Sequence, residues 1–157
     1  MRRMVLAVLV VGMSLTLGGV ESLCAMQSES RSEVTIRALA GALQGDTDVE
    51  VRRAAARALG EIEDVRAVPA LGRALEDDDD GRVRVSAAWA LGEIDLRSAP
   101  PALISALSDG DSKVRQAAVR ALSEIRDPAA YEALVDALRD DDPVVRRTAA
   151  RALGRRN

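Results

Sequence analysis

Residues 51–62 read Val-Arg-Arg-Ala-Ala-Ala-Arg-Ala-Leu-Gly-Glu-Ile, and the same stretch returns at Val83–Ile94, Val114–Ile125 and Val145–Arg156. Within it Val51, Ala54, Ala55, Ala58, Leu59 and Ile62 follow the i, i+3, i+4, i+7, i+8, i+11 spacing of one apolar helical face. Two more markers keep step with it. Ala-Leu-x-x-Ala-Leu stands at 38–43, 70–75, 102–107 and 133–138, and the Val-Arg pair at 51–52, 83–84, 114–115 and 145–146, each separated from the next by 31 or 32 residues. Markers in step over four copies define an internal repeat. A unit of this length holds one supersecondary element that buries its apolar face only by stacking on its neighbours.

Each copy reads as two helices. The first (A) is expected at Val34–Leu43, Ala67–Leu75, Pro101–Leu107 and Ala129–Leu138, and the second (B) is the longer stretch quoted above. Asp48, Asp80, Asp111 and Asp142 lie three residues before the Val of each Val-Arg pair. There a carboxylate accepts a bond from a free N–H of the first helical turn and complements the helix dipole. Pro143 follows Asp142 directly, at the first helical position, where a missing N–H costs nothing. A second aspartate, at Asp46, Asp78, Asp109 and Asp140, precedes the Arg of each Val-Arg pair by six residues. With Arg52, Arg84, Arg115 and Arg146 these form an expected partly buried Asp–Arg ladder, within a repeat or to the next one, because the guanidinium fork bonds a carboxylate bidentately.

The composition fits this plan. The chain has 157 residues, 48% apolar, with no Phe and aromatics at 1%. A core built from Ala, Leu, Val and Ile with few aromatics favours helix. The net charge of −3 comes from interspersed charges of both signs, with Lys113 the only Lys, and the basic surplus of a generic nucleic-acid binder is missing. With no His and a single Cys, Cys24, an internal disulfide, a His/Cys zinc site and any His-based triad or general base are excluded.

The first residues have another character. Met1-Arg2-Arg3 is a short basic start, Met4 to Val20 is an uncharged apolar run, and Glu21 to Gln27 turns polar. That is the three-part pattern of a secretory signal peptide, so residues 1–25 are assigned to one, with a retained N-terminal anchor as the alternative. Small residues suit cleavage after Ser22, Cys24 or Ala25; Leu23 and Glu21 do not fit a lipoprotein box before Cys24. Residues 26–32 read as a linker and 33–157 as the repeat domain, with repeats at about 33–63, 64–95, 96–126 and 127–157. The expected location is exported, periplasmic or extracellular.

The pattern Asp-x-Asp-x-x-Val-Arg-x-x-Ala-x-x-Ala-Leu-Gly-x-Ile, preceded by an Ala-Leu-x-x-Ala-Leu helix, resembles HEAT repeats, most of all the phycobilisome-lyase-like HEAT-like subfamily. The resemblance covers about residues 33–157. Tetratricopeptide repeats differ in their 34-residue period and aromatic signature. The resemblance implies an all-α fold, a right-handed α-solenoid of four two-helix repeats, with A helices outside and B helices lining a concave side. It also implies a binding scaffold rather than an enzyme. Iron binding through His-Glu pairs, known for some family members, does not carry over to a chain without His.

On the B helices three columns lie opposite the buried face: Arg57, Trp89, Arg120 and Arg151; Arg53, Val85, Gln116 and Arg147; and Glu61, Glu93, Glu124 and Arg155. The first places the only Trp among Arg neighbours, the residue types enriched at binding hot spots. These are the candidate protein-binding residues. The competing readings are that Trp89 fills space on neighbouring helices and that the arginines form a solvated face. Tyr131 aligns with Ile36, Val68 and Pro100 and reads as core. The acidic run Glu76–Asp80 reads as ladder and cap residues with one insertion rather than a calcium loop. Ser86, Ser105 and Ser123 have no neighbouring base. Neither a cofactor nor a metal is expected. The expected partner is a protein or peptide, with no nucleic acid, and with membrane contact only through an uncleaved N-terminal segment. Uncapped repeat ends point to weak self-association. An accessory subunit of an enzyme complex, phycobilin-lyase-like or oxidoreductase-associated, is the alternative function.

Overall fold

The computed structural model describes residues 31–156. The signal peptide, its cleavage region, Cys24 and residues 26–30 of the linker lie outside the described residues. Arg31 and Ser32, expected to end the linker, are already helical. The chain divides into two compact units, 1–37 and 38–157, and the stacked repeats described next belong to the second.

All regular structure among the described residues is helical. In chain order the helices are α1 (31–45), α2 (Val49–Glu61), α3 (Val68–Asp77), α4 (Gly81–Glu93), α5 (Pro101–Ser105), α6 (Ser112–Glu124), α7 (Pro128–Asp136) and α8 (Pro143–Arg156). Single 3-10 turns open α3 at Val65–Ala67 and extend α5 and α7 at Ala106–Ser108 and Ala137–Arg139. The even-numbered helices are the B helices, and each packs on the next: α2 on α4, α4 on α6, α6 on α8. The outer helix α3 packs on α4 and α5, and α7 on α6 and α8.

The caps form as the sequence dictates. Oδ1 of Asp48, Asp80, Asp111 and Asp142 accepts from the backbone N–H of Glu50, Arg82, Lys113 and Val144 at 2.7, 2.8, 2.8 and 2.6 Å. Pro residues open α5, α7 and α8 and stand in the first turn of α3, where a missing donor is harmless. The first B helix ends differently from the next two. Glu63 takes a left-handed conformation, φ 54°, whereas Ile94 and Ile125 close α4 and α6 in extended geometry. Those two isoleucines are buried and Ile62 is only half-buried.

The buried face of α2 is rotated from the expected one. Ala55, Ala56, Leu59 and Gly60 are buried, whereas Val51 and Ala54 are exposed and Ala58 and Ile62 half-buried. The cause is position in the stack. Val83 and Val114 are fully buried and Val145 nearly so, each behind a preceding B helix; Val51 has no described B helix before it and is 40% exposed. Ala56 and Gly60 instead face α4. A Cβ on Gly60 would sit 2.8 Å from Cα of Ala90, and one on Gly92 2.9 Å from Cα of Ala121, so these two glycines set how closely the helices approach. Tyr131 is also corrected: it is 48% exposed rather than core, since no described A helix follows α7 to cover it.

Candidate functional site

The ladder is realised, and it runs between repeats. Arg52 donates from Nε and Nη2 to both carboxylate oxygens of Asp78 (2.7 and 3.0 Å), Arg84 to Asp109 (2.8 and 3.1 Å) and Arg115 to Asp140 (2.8 and 3.0 Å). Each Nη1 reaches back to the carbonyl of its own repeat's aspartate: Asp46, Asp78 and Asp109. Asp46, Asp78, Asp109 and Asp140 each accept, at Oδ1, the N–H of the capping residue two positions on, with Asp48, Asp80, Asp111 and Asp142 as donors in turn. One rung therefore ties a helix start, a turn and the neighbouring repeat. Asp46 and Arg146, the ends of the series, have no such charged partner among the described residues.

Electrostatics follow this geometry. Burial raises the pKa of Asp78 and Asp109, but the arginine and the capping N–H outweigh it and both carboxyls lie below the ordinary aspartate range. Asp140 is lowered first by Arg115. Asp80 is drawn to about 2 by the Arg82 side chain and backbone. The acidic run Glu76–Asp80 is thus committed in part to structure, and among the described residues no three acidic or Cys side chains gather where they could hold a metal ion.

On the other side of the B helices lies an open groove of about 930 Å³, lined by α2, α4, α6 and α8 alone. Of the expected binding residues it gathers Arg57, Glu61, Val85, Trp89, Glu93, Gln116, Arg120, Glu124 and Arg151, with Arg155 from the third column. Arg53 and Arg147 do not line it. Arg53 is half-buried and tied to Glu50 at 2.6 Å, and Arg147 lies exposed outside the groove. Sequence reading missed Ser86, Ala117 and Thr148, which share a column with Ala54 that had been placed in the buried face; here the column forms the groove's flank. It also missed Lys113. Ser86 is buried and Ala117 and Thr148 are half-buried, so the column lies at the edge between the packed face and the groove.

Along the groove Trp89 is 42% exposed. One edge of its ring covers Gly60, where a Cβ would lie 3.3 Å from Cζ3; the rest faces the groove. Trp89 thus packs on α2 with one edge and leaves part of its ring exposed along the groove. The side chains of Arg57, Arg120 and Arg151 find no hydrogen-bond or ion-pair partner among the described residues, in contrast to Arg52, Arg84 and Arg115 in the ladder. Beside this basic row runs an acidic one, Glu61, Glu93 and Glu124, which turns basic at Arg155, 3.8 Å from Glu124. Gln116 donates to Thr148 across the last junction at 3.3 Å. Ser86 donates to the carbonyl of Arg82, and Ser123 lies within hydrogen-bond distance of both the carbonyl of Arg120 and, at 3.0 Å, the Glu124 carboxylate beside it.

Residues 19–92 and 73–154 match the HEAT-repeat family, and the chain belongs to that family. Solved structures are similar as well, among them the following three. An engineered protein shares 30% identity over 74% of this chain (TM-score 0.57). Human deoxyhypusine hydroxylase in complex with glycerol shares 28% over 76% (TM-score 0.68). The complex of CpcE and CpcF of phycocyanin lyase from Nostoc sp. PCC7120 shares 31% over 76% (TM-score 0.63). The chain spans 60%, 42% and 53% of these three, respectively. No curated protein matches. No helix among the described residues is long and apolar enough to cross a membrane.

Proposed function

We propose that the chain is a non-catalytic protein-binding module, a short right-handed HEAT solenoid that holds a peptide segment in its B-helix groove. One observation carries this: a row of three unpartnered guanidiniums with an exposed Trp89 among them, on a face whose other neighbours leave it open. Packed helices lie about 8–10 Å apart, and an extended peptide advances about 3.4 Å per residue. Acidic side chains about three residues apart would then meet successive arginines, and an apolar residue between them would meet the indole. The acidic row beside it favours a segment with mixed charge over a uniformly acidic one. The basic start and apolar run of residues 1–25 support export, so the partner belongs outside the cytoplasm or at the membrane surface.

The test uses defined peptides. A display library of extended segments is selected on the full chain and on Trp89→Ala and Arg120→Gln. Enrichment of segments with acidic residues about three apart, lost in both variants while circular dichroism stays helical, supports the reading. An unchanged selection in both variants overturns it.

A second reading is an accessory subunit of an enzyme complex, favoured by the likeness to the phycocyanin lyase chains. It requires a bound chromophore or an enzyme partner; visible absorbance of the purified protein, or activity only on adding a partner enzyme, would select it over the first.

A further inference from the structure

The stack of described helices repeats one interface three times, and its first and last described B helices carry the two halves of that interface. Arg146 is next in the series Arg52, Arg84, Arg115. Its Nη1 is held as theirs are, by the carbonyls of Asp140 and Asp141 at 2.5 and 2.9 Å. Its Nε–Nη2 edge, which in the other three takes the following repeat's carboxylate, has no partner among the described residues. At the opposite face Asp46 is first in the series Asp46, Asp78, Asp109, Asp140. Its Oδ1 accepts the N–H of Asp48 at 2.8 Å, as Asp78 does from Asp80, and no described guanidinium meets its carboxylate.

Packing shows the same pairing of halves. Gly154 occupies the place of Gly60 and Gly92, and nothing lies within 4 Å of where its Cβ would be. Ala58, in the register of Ala90 and Ala121, is half-buried where those two are buried. Leu138 is 39% exposed where Leu75 is buried, and Val51 is open where Val83 is closed. The acceptor face thus offers small residues and a carboxylate, and the donor face a glycine, a leucine and an aimed guanidinium fork.

We propose that a second copy of this chain docks head to tail on these faces. Arg146 of one copy clamps Asp46 of the next, and Gly154 takes the close approach of Ala58. The contact is heterologous, so it propagates as an open chain unless its rotation closes a ring. It is separate from the groove and does not depend on what the groove holds.

Sedimentation velocity of the full chain over a wide concentration range tests this. The weight-average mass of the wild type rises with concentration. Gly154→Gln meets open space within one copy but blocks the approach of Ala58, and returns the protein to a monomer. Asp46→Arg and Arg146→Asp each weaken association by roughly a hundredfold, the loss of about 3 kcal/mol for a broken partly buried pair. Mixing these two variants restores association, because one junction regains its native rung and the other a reversed one. Trp89→Ala assembles as wild type. Should a charge variant fail to fold by circular dichroism, Gly154→Gln decides alone. A wild type that stays monomeric, or association indifferent to Gly154→Gln, overturns the proposal.

Discussion

Arg84 presents Nε and Nη2 to the two carboxylate oxygens of Asp109 at 2.8 and 3.1 Å, while its Nη1 reaches 2.8 Å back to the carbonyl of Asp78. One side chain therefore joins two turns and two repeats. Truncation leaves the Asp109 carboxylate, itself mostly buried, without its cation. Arg84→Ala should cost about 2–3 kcal/mol, somewhat below a fully buried pair because both side chains keep some contact with water. Arg84→Lys keeps the charge but not the fork and should fall between the two. Arg146→Ala, which meets no carboxylate among the described residues, should cost less than about 1 kcal/mol. Urea unfolding of the three variants checks the order; equal losses at Arg84 and Arg146 would contradict the ladder's role.

The same rungs set the acid limit. Asp78, Asp109 and Asp140 titrate below their unfolded value, which is about 3.9. A lowered carboxyl contributes stability that is fully present above the unfolded pKa and is lost as pH falls through the folded one. With no histidine in the chain, the thermal midpoint should be nearly flat from about pH 7 to 5 and fall below about pH 4. Replacing the three aspartates by Asn should lower stability at neutral pH and flatten the acid limb. A steep loss between pH 7 and 5 would show that other groups govern stability.

Two glycines of equal sequence register should respond with opposite sign. Gly60→Ala drives a methyl onto the Cα and Cβ of Ala90, at 2.8 and 2.9 Å, and backbone cannot swing aside. Parting α2 from α4 should cost about 1–3 kcal/mol. Gly154→Ala meets nothing within 4 Å and gains helix propensity of up to about 1 kcal/mol, less near a helix end. Thermal melts of both variants, recorded below the concentration at which copies associate, read the contrast directly.

Repeat period, helix pairing, cap aspartates and the ladder's members were legible because each is a local choice made four times over. Asp48 and its three counterparts cap for reasons contained within one turn of chain. What the sequence could not rank was the partner of each ladder arginine. Arg52 is six residues from Asp46 and 26 from Asp78, yet its fork goes to the distant carboxylate and only its Nη1 to the near carbonyl. The apolar pattern of Val51–Ile62 also misled by one column. Ala is tolerated on either face, so an Ala-rich helix leaves its burial to the neighbours, and α2 has α4 on one side with no described B helix on the other. Position in the stack is equally invisible locally: Val51 and Val83 have the same register and opposite exposure. The groove's first column survived because Trp89 and the three arginines cannot be buried as Ala can, whereas Arg53 was lost to a neighbouring glutamate.

The single tryptophan makes the groove's field measurable without any partner. Trp89 is partly exposed among cationic neighbours on its own row, Arg57 and Arg120, with Glu61 and Glu93 on the next. If the unpartnered guanidiniums dominate the field at the indole, anions are concentrated there and cations repelled. Iodide should then quench Trp89 fluorescence more efficiently than caesium at low salt. The difference should shrink as the Debye length falls from about 10 Å at 0.1 M to about 3 Å at 1 M. Arg57→Gln with Arg120→Gln should erase or reverse the preference, because the glutamate row then sets the sign. Equal quenching by both ions in the wild type would mean that the two rows cancel at the indole, and a partner selected by Trp89 would then be chosen for its apolar contact rather than its charge.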